Sequence, residues 1–443
     1  MFSRKDLIRL LVPLIIEQFL SVLVGMLDVV MVAEVGEAAV SGVSLVDSIN
    51  LLLIQLLAAM ATGGAVVAGQ ALGMKDEKMA CLAADQLLLV TTLISLGIMA
   101  LSLLGNGLIL DLLYGSIESD VMHNASVYFY ITALSFPFLA VYNSCAALYR
   151  IMGNSKVSMK TSLLMNCINV AGNAIGVYVL HAGVAGVAVP TLVSRAVAAI
   201  VMLVIIRDEK NQIHVDRHFK LGFRPDVIRN ILHIGIPNGM ENGMFQLGKI
   251  MVQSLVSTMG TASIAGFAVA ANLANIEYLP GLAIGMGLVT VASRCAGAGE
   301  YEQVIYYTKK LVILNYAILA VIVLLLDIFR GPVIGIYNLS DEAAAIASAM
   351  ILYHGFSMII WPPAFAAPNA LRAVSDVTFT MLVSVSSMWA FRIGLAYVFV
   401  KFFDLPVLFV WVAMSFDWIF RFILFIWRFK SGKWKQFHMA NNR

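Results

Sequence analysis

PLIIEQFLSVLVGMLDVVMVAEVGEAAVSGVSL (13–45) returns at an offset of 224 positions as PNGMENGMFQLGKIMVQSLVSTMGTASIAGFAV (237–269). Pro13 falls on Pro237, Glu17 on Glu241, Gly36 on Gly260 and Gly42 on Gly266, and the register holds to Gly63/Gly287 and Gly73/Gly297. A second match sets LYRIMGN (148–154) against ALRAVSD (370–376), with Arg150 on Arg372. Chance supplies a few matched glycines. A Pro and a Glu four residues apart, followed by spaced glycines in register, is much harder to obtain by accident. The chain is an internal duplication.

Each copy is built from apolar runs. Hydrophobic residues make up 60% of the 443 and charged ones 12%, against about 25% charged in a soluble domain. Runs long enough to cross a bilayer, about 20 residues each, recur near 7–33, 43–72, 86–113, 125–148, 157–180 and 184–206. They continue near 227–257, 263–293, 306–330, 343–370, 377–402 and 405–428. They are too long and too continuously apolar for the alternating ten-residue strands of a membrane barrel. The expected fold is all-α, with twelve spans in two six-helix repeats.

Loop charge sets the orientation. Loops on the side of the termini carry 23 Lys and Arg, among them Arg4, Lys75, Arg150, Arg217, Lys220, Lys309, Arg372 and Arg443; the opposite loops carry 2, Arg330 and Lys401. By the positive-inside rule both termini are expected in the cytoplasm, and an odd number of spans would break the alternation. The start, MFSRKDLIRLLVPLIIEQFL, reads as a first span serving also as an uncleaved targeting signal. The polar stretch 207–226 is read as a cytoplasmic linker between an N-lobe (1–206) and a C-lobe (227–443) that ends in a short basic tail. Six spans per repeat, an even number, make the repeats parallel and related by a pseudo-twofold axis along the membrane normal. Such repeats place a substrate site between them near mid-membrane.

An ionisable group inside the bilayer costs roughly 2.5–3.5 kcal/mol on insertion scales, so each needs a reason. The candidates are Glu17, Asp28, Asp47, Arg195, Glu241, Lys249, Glu277, His354, Arg392, Asp417 and Arg421. Glu17 and Asp28 stand about three turns apart on the first span and share a face, expected to look into a wet cavity. Asp28, and Asp47 at similar depth on the next span, could exchange a proton or ligate a small cation through oxygen. Glu241, the copy of Glu17, is a candidate for attracting a cationic substrate across the pseudo-axis. Gln246 and Lys249 join it in the expected substrate cleft, with Lys249 placed to neutralise Glu241 or Glu277. Asp417 and Arg421 have the i,i+4 spacing of an intrahelical pair. His214 and His218 lack a third ligand, and the four cysteines read as packing residues rather than a metal or disulfide set. No HExxH, GxSxG or P-loop spacing occurs, so an enzyme is not expected, nor a nucleic-acid partner or a cofactor beyond the coupling ion, H+ or Na+.

Over essentially its whole length the chain resembles the multidrug and toxic compound extrusion (MATE) family. The matching pieces are PLIIEQFLSVLVGMLDVVMVAEVG, GIPNGMENGMFQLGKIMVQSLVSTMG, ALYRIMGNSK, ALRAVSD and WAFRIGLAY. The resemblance implies two six-helix lobes around a V-shaped central cleft, and outward transport of organic, usually cationic compounds in exchange for protons or sodium ions. It implies that Asp28 is the first-span coupling acid, with Asn169 and Asn173 (NCINVAGNAIG) and Thr191 (VPTLVSR) supplying polar groups from spans five and six. Two positions depart from the family pattern. Asn173 stands where members often carry a second acid, which favours a proton over a transient Na+ at Asp28, and Trp361 stands where some carry a tenth-span acid.

The expectation is therefore a cation-coupled secondary antiporter exporting organic cations by alternating access, a monomer among lipids in a bacterial-type inner membrane. A lipid-linked precursor flippase of related fold is the alternative, and it would line its cavity with several basic residues. A passive channel would need no coupling acid.

Overall fold

The computed structural model describes residues 2–115, 117–215 and 222–437, and among these every regular element is helical. His218, Arg217, Lys220 and Arg443 lie outside the described residues, as do the middle of the linker and the end of the basic tail. The chain folds as two compact units that part at Gly239/Met240.

The first unit holds α1 (Arg4–Ala33), α2 (Glu37–Gly73) and α3 (Glu77–Leu104). It continues with α4 in two pieces (Ser119–Ala133 and Phe136–Ile151), α5 (Ser155–Val179) and α6 (Ala185–Ile206). It also takes the first turns of α7 (Pro225–Val256). The second unit holds the rest of α7, then α8 (Thr261–Gly297), α9 (Tyr301–Ile328), α10 in two pieces (Asp341–Ser357 and Pro362–Ala373), α11 (Val377–Lys401) and α12 (Leu408–Ser431). Nine of these, and eleven with the two broken ones, have the length and apolarity of a membrane span. The twelfth, α7, has the length at 32 residues but is interrupted by Arg229, His233, Glu241 and Lys249.

The duplication is written into the backbone. Gly36 and Gly260 open α2 and α8 at φ +127° and +91°, a region where a Cβ is strained. After α2, Asp76 N–H bonds to Ala71 O, and after α8, Glu300 N–H bonds to Cys295 O, both at Schellman spacing. Each bond needs a left-handed residue just before it, and Lys75 (φ 60°) and Gly299 (φ 74°) fill that place. The same turn follows α4 and α10: Asn154 N–H to Tyr149 O, and Asp376 N–H to Leu371 O, with Gly153 and Ser375 at φ 81° and 69°.

Packing repeats as well. α2 and α8, each 37 residues and thus about 55 Å long, are the most buried unbroken spans of their units. A Cβ on Gly42 would lie 2.8 Å from Ala125 N in α4, and one on Gly266 would lie 2.9 Å from Ala343 O in α10. The matched glycines thus let the second span of each repeat meet the fourth backbone to backbone.

α4 and α10 are the broken spans, bent by 48° and 69°. Pro137 follows one break, and Pro362 and Pro363 follow the other; a proline can neither donate to the ladder nor spare the turn before it a clash. Side chains take up carbonyls at the breaks: Ser135 Oγ donates to Thr132 O at 2.6 Å, and Tyr316 OH to Ile359 O at 2.7 Å. α5 and α11 widen into π turns, at Ile175–Val179 and Met388–Leu395. Both the breaks and the wide turns therefore sit on equivalent spans of the two repeats.

Candidate functional site

Asp28, Asn169, Asn173 and Thr191, drawn from α1, α5 and α6, converge in the first unit. α5 lies along α1, and the apolar residues of both leave one polar seam. At its inner part Ser158 Oγ donates to Glu17 Oε2 at 3.1 Å. Four turns further along α5, Asn173 Nδ2 donates to Asp28 Oδ1 at 2.8 Å. The two α1 carboxylates do share a face, and α5 covers it.

Asn169 stands one turn before Asn173. With its amide nitrogen toward α1 it reaches Asp28 Oδ1 at 3.1 Å and Oδ2 at 3.2 Å, while its oxygen accepts from Thr191 Oγ1 at 3.0 Å. The opposite orientation would set amide oxygen against carboxylate, so hydrogen bonding selects this one. Asn169 and Asn173 are buried and Asp28 is half-buried. Asn173 Oδ1 is buried without a partner. As a carboxylate, Asp28 accepts from two amides; once protonated it becomes a donor. The same oxygens could hold a small cation. Among the described residues no cluster of three or more His, Cys, Asp or Glu is placed to hold a metal.

A second polar layer adjoins this one. Asp47 on α2, exposed, accepts from Tyr128 OH on α4 at 3.1 Å. Arg195 on α6 donates to Ser135 Oγ at 2.7 Å, at the break of α4, and lies within Coulombic reach of Asp28, Asp47 and Tyr128. Tyr128 and Ser135 were not singled out in the sequence. An isolated Arg195 in an apolar run was the only signal that partners had to exist.

In the second unit the acids are matched differently from expectation. Glu241 pairs with Arg372 at 2.6 Å, and Glu277 with His354 at 2.5 Å. Lys249 neutralises neither: it stands two turns beyond Glu241, about 12 Å along α7, and its ammonium sits 5.5 Å from the Phe245 ring. Arg372, the copy of Arg150, bonds Glu241, and Ser158 donates to Glu17, the copy of Glu241. Gln246 is half-buried on the same turn of α7. Asp417 and Arg421 form the intrahelical pair at 2.7 Å, with Ser387 Oγ donating to Asp417 at 2.5 Å. Trp361 is buried between Tyr278 and Phe365, its ring stacked on both.

The sequence pattern of the MatE family matches twice, at residues 13–175 and 237–398, in the register that the glycines keep. The chain is 26% identical to the probable multidrug resistance protein NorM of Thermotoga maritima, over 98% of this chain and 93% of that one. It is 27% identical to the uncharacterized transporter YisQ of Bacillus subtilis, over 97% and 94%. Among solved structures, a MOP superfamily transporter from Pyrococcus furiosus superposes with a TM-score of 0.89 at 17% identity, over 96% of each chain. A MATE in the bent conformation gives 0.89 at 16% identity, over 97% and 96%.

Proposed function

The chain belongs to the MatE family of membrane transporters, and on that premise we propose that it is a secondary antiporter exporting small organic compounds, cationic ones among them, against an inward flow of protons. The carrying observation is the convergence of Asp28, Asn169, Asn173 and Thr191 around one carboxylate. A single acid with neutral partners can take up and release one proton, whereas a sodium site gains from a second charge, and Asn173 provides none. The relatives named as multidrug resistance proteins support the substrate range.

In this reading Asp28 loads a proton from outside, and the α1–α5 seam rearranges around it. Substrate and proton then compete for one conformational equilibrium, which is what couples their flows. The working lobes are 1–206 and 227–443, with both termini in the cytoplasm of a bacterial inner membrane. The lipid-linked precursor reading has less support. Of the four intramembrane basic residues, Arg195 is committed to Ser135 and Arg421 to Asp417.

The test is export of a fluorescent organic cation from proteoliposomes under an imposed proton gradient or an imposed sodium gradient alone. Export driven by protons and not by sodium is expected. Sodium-driven export would overturn the choice of ion, and export by neither gradient would overturn the antiporter.

A further inference from the structure

Two cations in the second unit form no ion pair among the described residues. Lys249 on α7 is exposed, and Arg392 on α11 is half-buried; both flank the same aromatic ring, with the ammonium 5.5 Å and the guanidinium carbon 5.3 Å from the Phe245 centroid. The one hydrogen bond of Arg392 goes to the thioether of Met414, at 3.1 Å. Neither residue is among the ion pairs of the described residues. The nearby acid, Asp417, receives Arg421 and Ser387 on one oxygen, Oδ1, and its buried Oδ2 makes no hydrogen bond to Arg392 or to any other described residue. Trp389, three residues before Arg392 on the same π turn, keeps a buried indole N–H without an acceptor.

This arrangement is rich in donors and short of acceptors. A guanidinium offers five N–H groups and an ammonium three, and a thioether is a weak acceptor for any of them. Unpaired cations at membrane depth are costly and mark function by default. The surroundings are apolar: Phe245, Met388, Ile393 and Met414 belong to one packed cluster. Gly248 lies one residue before Lys249, where a Cβ would run into the end of Met388, so α7 and α11 approach closely and bring the two charges to one ring. π turns are frequent at functional sites because they re-aim side chains out of helical register.

We propose that Lys249 and Arg392, set about Phe245, form a recognition site for an oxyanion group (carboxylate, sulfonate or phosphate) carried by an apolar organic molecule. The proposal rests on the exporter reading and adds to its substrate class: besides cations, the protein takes zwitterions and amphipathic anions. A planar fork on one side and a point charge on the other suit a group with two or three equivalent oxygens. The ring and the methionines take the apolar body.

Equilibrium binding tests this without any gradient, so a failure of antiport and a failure of this site are separable. The full chain in nanodiscs of phosphatidylcholine is titrated with dansylglycine, dansyltaurine and dansylated phosphoethanolamine, with dansylglycinamide as the neutral control. At least one anion should bind about tenfold more tightly than the amide, the scale of one charge-assisted hydrogen bond. Lys249→Gln and Arg392→Gln should each bring that anion down to the amide's affinity and leave the amide unchanged. Lys249→Arg should keep the preference, as should Lys401→Gln, a charge-matched control whose ammonium bonds Thr258. Because Arg392→Gln can disturb the fold, the exposed Lys249 is the decisive position.

A parallel arm in nanodiscs containing phosphatidylglycerol, read by native mass spectrometry, separates the sources. Retention of that lipid lost in Lys249→Gln, without binding of the dansyl anions, assigns the site to a lipid headgroup; binding of the anions in phosphatidylcholine assigns it to a free compound. No preference for any anion together with no retained lipid would overturn the proposal, as would a preference that survives in both variants.

Discussion

If one carboxylate couples the cycle, its stoichiometry can be read as a slope. The α1–α5–α6 cluster contains one acid, Asp28, and its other members, Asn169, Asn173 and Thr191, do not titrate. One proton then enters for each substrate leaving, and a pH unit across the membrane is worth about 1.36 kcal/mol, a factor of ten in the substrate ratio. With the membrane potential clamped at zero, a gradient of about two units should hold a substrate ratio of about a hundredfold at steady state. In Asp28→Asn the amide carries no exchangeable charge, so the ratio should settle at one, although equilibration down a substrate gradient can continue. The assay is the steady-state distribution of a radiolabelled cation in proteoliposomes at several imposed pH differences. A slope of about a hundredfold per unit would mean two protons and would bring in Asp47, the exposed neighbour held by Tyr128. Uphill accumulation by Asp28→Asn would refute the assignment outright.

Three further outcomes follow from the same structure. Asn173→Asp sets a second carboxylate where Nδ2 now lies 2.8 Å from Asp28; two such charges do not ionise together without a cation, so isothermal titration with sodium chloride should show binding that the natural sequence lacks, and no gain would refute the geometry. Arg421→Gln strips the partner from Asp417, which is fully buried, and should cost about 3–5 kcal/mol, seen as a lowered midpoint in thermal unfolding of the detergent-solubilised protein; an unchanged midpoint would mean that Ser387 suffices. Gly42→Val and Gly266→Val should each force α2 from α4, or α8 from α10, at about 1–3 kcal/mol or more, because the added Cβ meets backbone that cannot step aside: Ala125 N and Val121 O for the first, and Ala343 O beside the Ile346 side chain for the second. Monodisperse, fully active protein from either variant would contradict the close approach.

The helical architecture was legible because its signals are long-range and redundant. Apolar runs, loop charge and glycines repeating at one offset all point to the same fold, and Gly42 and Gly266 turn out to do the same job in each half. The Asp28 cluster was reached through family resemblance: no spacing rule joins residue 28 to 173 and 191, which meet only because α5 lies along α1. Where reasoning stayed within one helix it succeeded, as for Asp417 and Arg421. Where it had to choose a partner across helices it failed for Lys249, since a salt bridge depends on which neighbouring span supplies the counter-charge. Arg372 and His354 took the acids instead. The breaks of α4 and α10 were also hidden, as Pro137 sits in a run that otherwise reads as one span.

Those two breaks constrain how the protein can be made. A span bent by 48° or 69° exposes carbonyls that lipid cannot solvate, so neither α4 nor α10 is a comfortable solitary guest of the bilayer as the ribosome delivers it. Each needs hosts already in place. In both repeats those hosts come first in the order of synthesis: the pieces of α4 pack on α2 and α3, and the pieces of α10 on α8 and α9. Tyr316, which takes the stranded carbonyl of Ile359, sits on α9 and waits there before α10 emerges. The duplication therefore preserved an assembly sequence along with a shape, and a circular permutation placing α4 or α10 ahead of its hosts should fail during biogenesis rather than in the finished protein.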